Sequence, residues 1–301
     1  MGRRMQHRSG FSRIGVLVTG VVLVVLVAII LPAVQQARES ARRQMCRQHL
    51  YTLGLALQMY HDTCRSFPLG SIGSSKLPPE KRWSFYTLLG NNTRHYGWLE
   101  VDWNRAWDDP ELRPLRLQTW RNGPYEEFDV PLYAYPGLDC PSSYNIASNP
   151  DGQPFVEYIG LGGLGADGLE VARTHSRAGV FSYTEFTRYR DITDGSSNTL
   201  MLMETARPVA CWLAGGAASV RTFDPNDKNA IGIQGQFGSY HTHHGKGMNA
   251  VFVDAEVRYV NEDIDVNVLA ALCTIAGQKP TDQELADRSP LKKRIDASRP
   301  F

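Results

Sequence analysis

Three histidines, His241, His243 and His244, precede Asp254 by thirteen, eleven and ten positions. Imidazole and carboxylate groups are the stock of metal sites and of general acid–base pairs. Histidines two and three apart on an extended segment do not all face one ion. No His-Glu-x-x-His pair, Gly-x-Ser-x-Gly elbow or Ser-His-Asp order accompanies them. The set His241, His243, His244 and Asp254 is therefore only a weak metal candidate. The simpler expectation is a His244–Asp254 hydrogen bond that fixes a loop against a hairpin. No catalytic residue, cofactor or enzymatic activity is expected.

Two further stretches carry recognisable spacing. Gly160, Gly162 and Gly165 satisfy Gly-x-Gly-x-x-Gly behind Phe155-Val-Glu-Tyr-Ile. A dinucleotide site also needs a helix opening at that loop within a β-α-β unit. Gly168 interrupts any such helix, and no Lys-Ser/Thr follows to make a P-loop. A flexible turn in a β region is expected instead. Asp191-Ile-Thr-Asp-Gly-Ser-Ser-Asn-Thr predicts a tight turn, because Asp-Gly and Asn favour positive φ and side-chain capping. Calcium coordination by Asp194 and Asn198 is the weaker alternative there. Five of the six tryptophans fall between Trp83 and Trp120. They suit a carbohydrate-stacking platform or, more simply, the packing of a loop-rich region.

These residues need elements to hold them. The chain has 301 residues, 42% hydrophobic and 21% charged, which excludes whole-chain disorder. With 32 basic and 31 acidic side chains, no global basic field points to nucleic acid. Five cysteines form no Cys-x-x-Cys pair, which excludes a zinc ribbon. Gly179-Val-Phe-Ser-Tyr and Leu200 to Glu204 predict strands. Asn249–Val253 and Glu256–Val260 alternate around Asp254-Ala255 as a hairpin with a two-residue turn. Glycine is favoured after the aspartate, so Ala255 should cost about 1 kcal/mol. An amphipathic helix is expected over Asp263–Gly277 and a loose charged tail over 278–301.

The N-terminus is dominated by an uncharged run from Ile14 to Leu31, preceded by Arg3, Arg4, Arg8 and Arg13. Eighteen residues at 1.5 Å each give about 27 Å, enough to cross a bilayer's hydrocarbon core. A cleaved secretory signal fits less well, since Leu31-Pro-Ala is a poor small-x-small site. Arg38, Arg42, Arg43 and Arg47 flank the far side, so charge counting does not orient the span. Apolar residues then continue at helical spacing through Val34, Ala37, Ala41, Met45, Leu50, Leu53, Leu57 and Tyr60, with a kink expected at Pro32. Phe67-Pro-Leu-Gly is the stop signal. The fold expected is α+β. One long N-terminal helix packs its second half on an antiparallel sheet with long loops. Its divisions are 1–10, 11–65, 66–277 and 278–301.

Arg8-Ser-Gly-Phe-Ser before the apolar run resembles a type IV prepilin or type II secretion pseudopilin signal. In that family a peptidase cuts after the glycine and the new N-terminal phenylalanine is methylated; the matching residues are Gly10 and Phe11. Leu31-Pro-Ala-Val-Gln-Gln-Ala-Arg-Glu-Ser-Ala-Arg-Arg, Leu53-Gly-Leu-Ala-Leu and Tyr60-His-Asp-Thr are similar to a large uncharacterised bacterial family of prepilin-like proteins. Cys140-Pro-Ser, Asp194 and Asn198 in Thr-Asp-Gly-Ser-Ser-Asn, Glu204, and a His-x9-Asp-Gly motif at His244 and Asp254 extend the likeness. Ala255 replaces that motif's glycine. The resemblance implies a pseudopilin-like structural subunit on the cytoplasmic (inner) membrane, single-pass, with its bulk outside. Its implied partners are membrane lipid, the prepilin peptidase and other pilin-like subunits. The glutamate that such signals carry five residues into the mature chain is Gly15 here, which argues for weak self-assembly. A membrane-tethered module binding a glycan or solute is the alternative.

Overall fold

The computed structural model describes residues 13–89, 102–112, 138, 156–207, 209–227, 229–232, 235–238 and 246–277. The chain divides into two compact units, Met1–Arg42 and Arg43–Phe301, each taken by itself below.

Helix α1 spans Arg13–Cys64. In the first unit its large apolar residues between Ile14 and Leu31 are between 47% (Leu26) and 75% (Ile14) exposed. The helix continues through Pro32, the residue at which a kink is expected. Such apolar surface on every face of a helix calls for lipid or protein around it, and apolar environments tolerate proline within helices. Arg42 Nε meets Glu39 Oε2 at 2.9 Å, one turn away.

In the second unit α1 buries Cys46, Leu50, Leu53, Ala56 and Leu57; the leucines are on the face that the three-and-four spacing predicts, while Met45, expected on the same stripe, is exposed and Cys46 is buried in its place. It ends at Arg65, whose φ of 62° and N–H bond to the His61 carbonyl (2.6 Å) form a left-handed cap. A short ladder, β1 (Ser71–Ile72) with β2 (Trp83–Ser84), follows, then a helical turn, α2 (Tyr86–Leu89).

The main sheet has five strands: β3 (Tyr158–Leu164), β4 (Leu200–Glu204), β5 (Val220–Phe223), β6 (Gly247–Phe252) and β7 (Val257–Asn261), in the order β5-β3-β4-β6-β7. Three pairings are antiparallel, as expected; β3 and β5 run parallel, so the sheet is mixed. Both faces are covered. Leu50, Leu53 and Leu57 of α1 share one core with Leu202, Val251 and Val257. Helix α3 (Val266–Leu272) shares the other, bringing Leu269 and Ala270 against Leu200, Met248 and Phe252. Burial on two sides explains why Leu200–Met203 is an unbroken apolar run.

Four local expectations are corrected. The glycine-rich stretch expected as a flexible turn is most of β3. Its glycines serve close approach: a Cβ on Gly160 would lie 2.8 Å from the Phe181 ring, and one on Gly162 would collide with Leu169. Gly179–Tyr183 is not a strand. Only Ala178 bridges to Gly163, and Phe181 N–H reaches the Leu161 carbonyl, because this backbone passes directly over the glycines of β3. The helix expected over Asp263–Gly277 is shorter. Asp265 caps α3 by accepting from Asn267 N–H (2.7 Å), and past Cys273 the backbone leaves to pair Ile275 N–H with Ala178 O. The turn at Asp254 has three residues, not two. Phe252 accepts from Ala255 N–H (2.9 Å) and donates to Glu256 O (2.9 Å), with Ala255 at φ 64°. That is a turn followed by a left-handed bulge residue, and alanine holds the position that favours glycine.

Ala255 is also where the helix meets the hairpin. A Cβ on Gly54 would stand 3.1 Å from Ala255 Cβ and 3.3 Å from Val251 Cγ1. Gln58 Nε2 donates to Val253 O (3.2 Å) and Arg47 Nη2 to Val257 O (3.2 Å). The Gly54→Ala substitution is therefore expected to destabilise through overpacking despite its better helix propensity. Ala255→Gly should be close to neutral, since relief at positive φ offsets a lost buried methyl. The double variant should recover about 1 kcal/mol relative to additivity in a denaturant double-mutant cycle. Strict additivity would mean that these two residues do not meet.

Candidate functional site

The polar groups converge at the C-terminal end of β4. Glu204 is buried there, and Asn249 of β6 grips its carboxylate at two points, backbone N–H to Oε2 (2.7 Å) and Nδ2 to Oε1 (3.0 Å). The Glu204 carbonyl accepts from Gly238 N–H at 3.0 Å. Next in the chain, Thr205 Oγ1 donates to Gln236 O (2.6 Å) and accepts from Arg207 N–H (3.1 Å) and Arg221 Nη1 (2.7 Å). Its own N–H bonds to Glu157 O at 2.8 Å.

Arg221 completes the network from edge strand β5. It is buried to 8% exposure, and its guanidinium donates to Ala217 O (2.8 Å), Gln236 O (3.1 Å), Arg207 O (2.6 Å) and Thr205 Oγ1. All four acceptors are neutral. Burial, with Arg207 as the lesser cause, pulls its pKa down to about 10, so it stays cationic at neutral pH. A charge held this way depends on oriented carbonyl dipoles in place of a carboxylate. The arrangement clamps three segments, around residues 205–207, 217 and 236, onto the sheet.

The expected site residues are distributed differently. Gly10, Phe11, Cys140, His241, His243 and His244 lie outside the described residues. Asp254 sits at the hairpin tip, where its Oδ1 accepts from Glu256 N–H (3.0 Å) and its own N–H reaches Ser196 O (3.3 Å). β6 separates that tip from Gly247 by about 17 Å. Glu204 stands beside the first residues of β6, as does Glu262, whose N–H bonds to Lys246 O (2.8 Å). Asp194 and Asn198 do share the predicted turn: Asn198 Nδ2 donates to Asp194 O (3.1 Å), with Gly195 at φ 96°. Asp194 Oδ2 accepts from Gly277 N–H (2.7 Å) and Thr274 Oγ1 (3.4 Å), and Asp194 N–H bonds to Ile275 O. The turn thus ties the segment after α3 to β4. No group of three or more His, Cys, Asp or Glu side chains suited to a metal occurs among the described residues.

The described tryptophans of the Trp83–Trp120 stretch pack together. Trp83 is buried with its Nε1 on Arg105 O (3.1 Å), and half-buried Trp107 donates to Glu80 O (2.8 Å). Trp103 stacks edgewise on Trp83 at 6.4 Å. Indole N–H groups satisfied internally belong to a packed cluster more than to a sugar-stacking platform. Cys46 and Cys273 are buried thiols, and burial drives the Cys273 pKa upward.

Sequence reasoning noticed Glu204 as a recurring family position but missed its pairing with Asn249, and it missed Arg221 altogether. The available signal was a charged residue inside a short strand bounded by apolar residues, Val220-Arg-Thr-Phe, where a buried charge must find partners.

Residues 35–219 match a family described as protein of unknown function (DUF1559). The chain belongs to that family. The matched stretch runs from the middle of α1 through the Asp194 turn, Glu204, Thr205 and Arg207, and stops just before β5; hairpin β6–β7 lies beyond it. No curated protein and no solved structure matches the chain.

Proposed function

We propose that this DUF1559 protein is a membrane-anchored, pseudopilin-like structural subunit, with α1 crossing the cytoplasmic membrane once and the α+β unit outside. The supporting observation is α1 itself. Its first part is long and apolar enough to cross a membrane and exposes that apolar surface. Its later residues Leu50, Leu53, Ala56 and Leu57 belong to the core of the second unit. A removable signal peptide has no reason to continue as a core element of the mature domain. The Gly10-Phe11 junction between a basic segment and the apolar run adds the processing site, with a prepilin peptidase as processing partner and lipid as the environment of residues 14–31. Other pilin-like subunits are the partners of assembly, and a subunit that carries the acid missing at Gly15 suits that role best. The role is structural, without catalysis.

Mass spectrometry of membrane-extracted protein tests this reading. A mature chain beginning at Phe11, N-methylated and retained in the membrane after alkaline wash, is the expected result. An intact Met1 terminus, or a chain beginning at Val34, overturns it.

A further inference from the structure

The motif Tyr60-His-Asp-Thr closes α1, and its histidine has a defined place. His61 is buried at 9% exposure, with its ring 4.9 Å from Phe67 and 4.3 Å from Tyr189, centroid to centroid. Phe67 and Tyr189 also meet each other at 5.3 Å, closing a three-ring cluster. His61 Nε2 accepts the backbone N–H of Tyr189 at 3.4 Å. Tyr189 opens a 3-10 turn, Tyr189–Asp191, just ahead of the Asp194 turn, and the same strip of chain is held by Phe67 N–H on Thr187 O (2.8 Å).

An imidazole nitrogen that accepts an N–H bond is unprotonated. We infer that His61 is a proton-sensitive latch: while neutral it docks the 187–191 segment on the end of α1, and when protonated it releases that segment. Protonation turns Nε2 from an acceptor into a donor facing another donor, so the contact changes sign. It also places a cation in a buried site.

The docked strip carries Arg188, Arg190 and Asp191, and buried Arg173 donates from Nη1 to Thr187 Oγ1 at 3.3 Å. Burial lowers the His61 pKa from 6.5; on α1 and its cap, Asp62 favours the cation without reversing that, and Arg65 acts with burial against it. Across the contact, Tyr189 feels Asp62 and Asp254, and its hydroxyl stays protonated because burial raises its pKa. A native pKa below the unfolded value fixes the sign of the linkage. The docking contribution is complete above pH 6.5 and is lost as pH falls through the lowered native value. Mild acid therefore loosens the strip that leads into the Asp194 turn.

The test uses the full chain in detergent micelles, with hydrogen exchange read by mass spectrometry at pH 7.5 and 5.5 and corrected for intrinsic exchange rates. Peptides covering residues 185–192 are expected to lose protection at least about threefold more than the β4 and β6 peptides, since each unit of pKa difference is tenfold in the opening equilibrium. His61→Gln keeps an acceptor that does not titrate, so its exchange at 185–192 should be insensitive to pH. Equal pH dependence in the wild type and the Gln variant overturns the latch. If the variant fails to fold, the wild-type profile decides alone. Acid-induced exchange that is uniform across the domain, or absent from 185–192, refutes it.

Discussion

Alanine at Gly163 is expected to destabilise the second unit by about 3–5 kcal/mol, the most damaging single-methyl change in β3. Two independent penalties meet there. Gly163 has φ 96°, a region L side chains avoid at a cost of about 1–2 kcal/mol. Its added Cβ would also collide with the Arg177 carbonyl oxygen and lie 2.5 Å from Gly179 N and 2.9 Å from Ala178 C. Those atoms are backbone, held by Leu164 N–H on Arg177 O (2.9 Å) and by the Gly163–Ala178 bridge. They yield only if the crossing segment lifts off the sheet. Gly165 supplies the control. It too has positive φ (77°), but its Cβ would first meet the movable tip of Arg177, at 3.0 Å. Gly165→Ala should cost only about 1–2 kcal/mol, the backbone term alone. Urea midpoints of the full chain in detergent separate the two. Equal effects would mean that the crossing backbone does not rest on β3.

That contrast also explains what was legible in advance. Periodicity found α1 and its buried face, because Leu50, Leu53 and Leu57 recur at the spacing a helix imposes. Alternation located the β6–β7 hairpin but gave the wrong loop length, since a two-residue turn and a three-residue turn with a bulge share the same Asp-x signal. The glycine run was misread because composition is silent about why glycine is present. Freedom of φ and absence of a side chain are separate uses, and at Gly160 and Gly162 the second governs. The polar network at β4 was least visible. Glu204 and Asn249 are 45 positions apart, and Arg221 binds carbonyls, which leave no trace in the sequence. Asp254 drew attention by its spacing from the histidines, while its side chain serves the local turn.

The Arg221→Met variant should cost about 3–5 kcal/mol, and here the usual relief from removing a buried charge does not apply. Where a buried ion pair is exchanged whole for apolar residues, both partners leave together and the result is often neutral. Among the described residues Arg221 has no carboxylate to remove with it. Its acceptors are the carbonyls of Ala217, Gln236 and Arg207 and the Thr205 hydroxyl, which remain in place whatever side chain occupies position 221. Methionine fills comparable space but leaves these oxygens without their donor, at about 1–3 kcal/mol for each one that water does not reach. Arg221→Lys retains the cation without the planar fork, so it should fall between methionine and wild type. Arg207 separates charge from geometry. Its side chain is exposed and repels Arg221, while its carbonyl does the binding. Arg207→Met should therefore stay within about 0.5 kcal/mol of wild type. A loss below about 1 kcal/mol for Arg221→Met in urea unfolding would mean that the segments around 205–207, 217 and 236 hold to the sheet without the guanidinium.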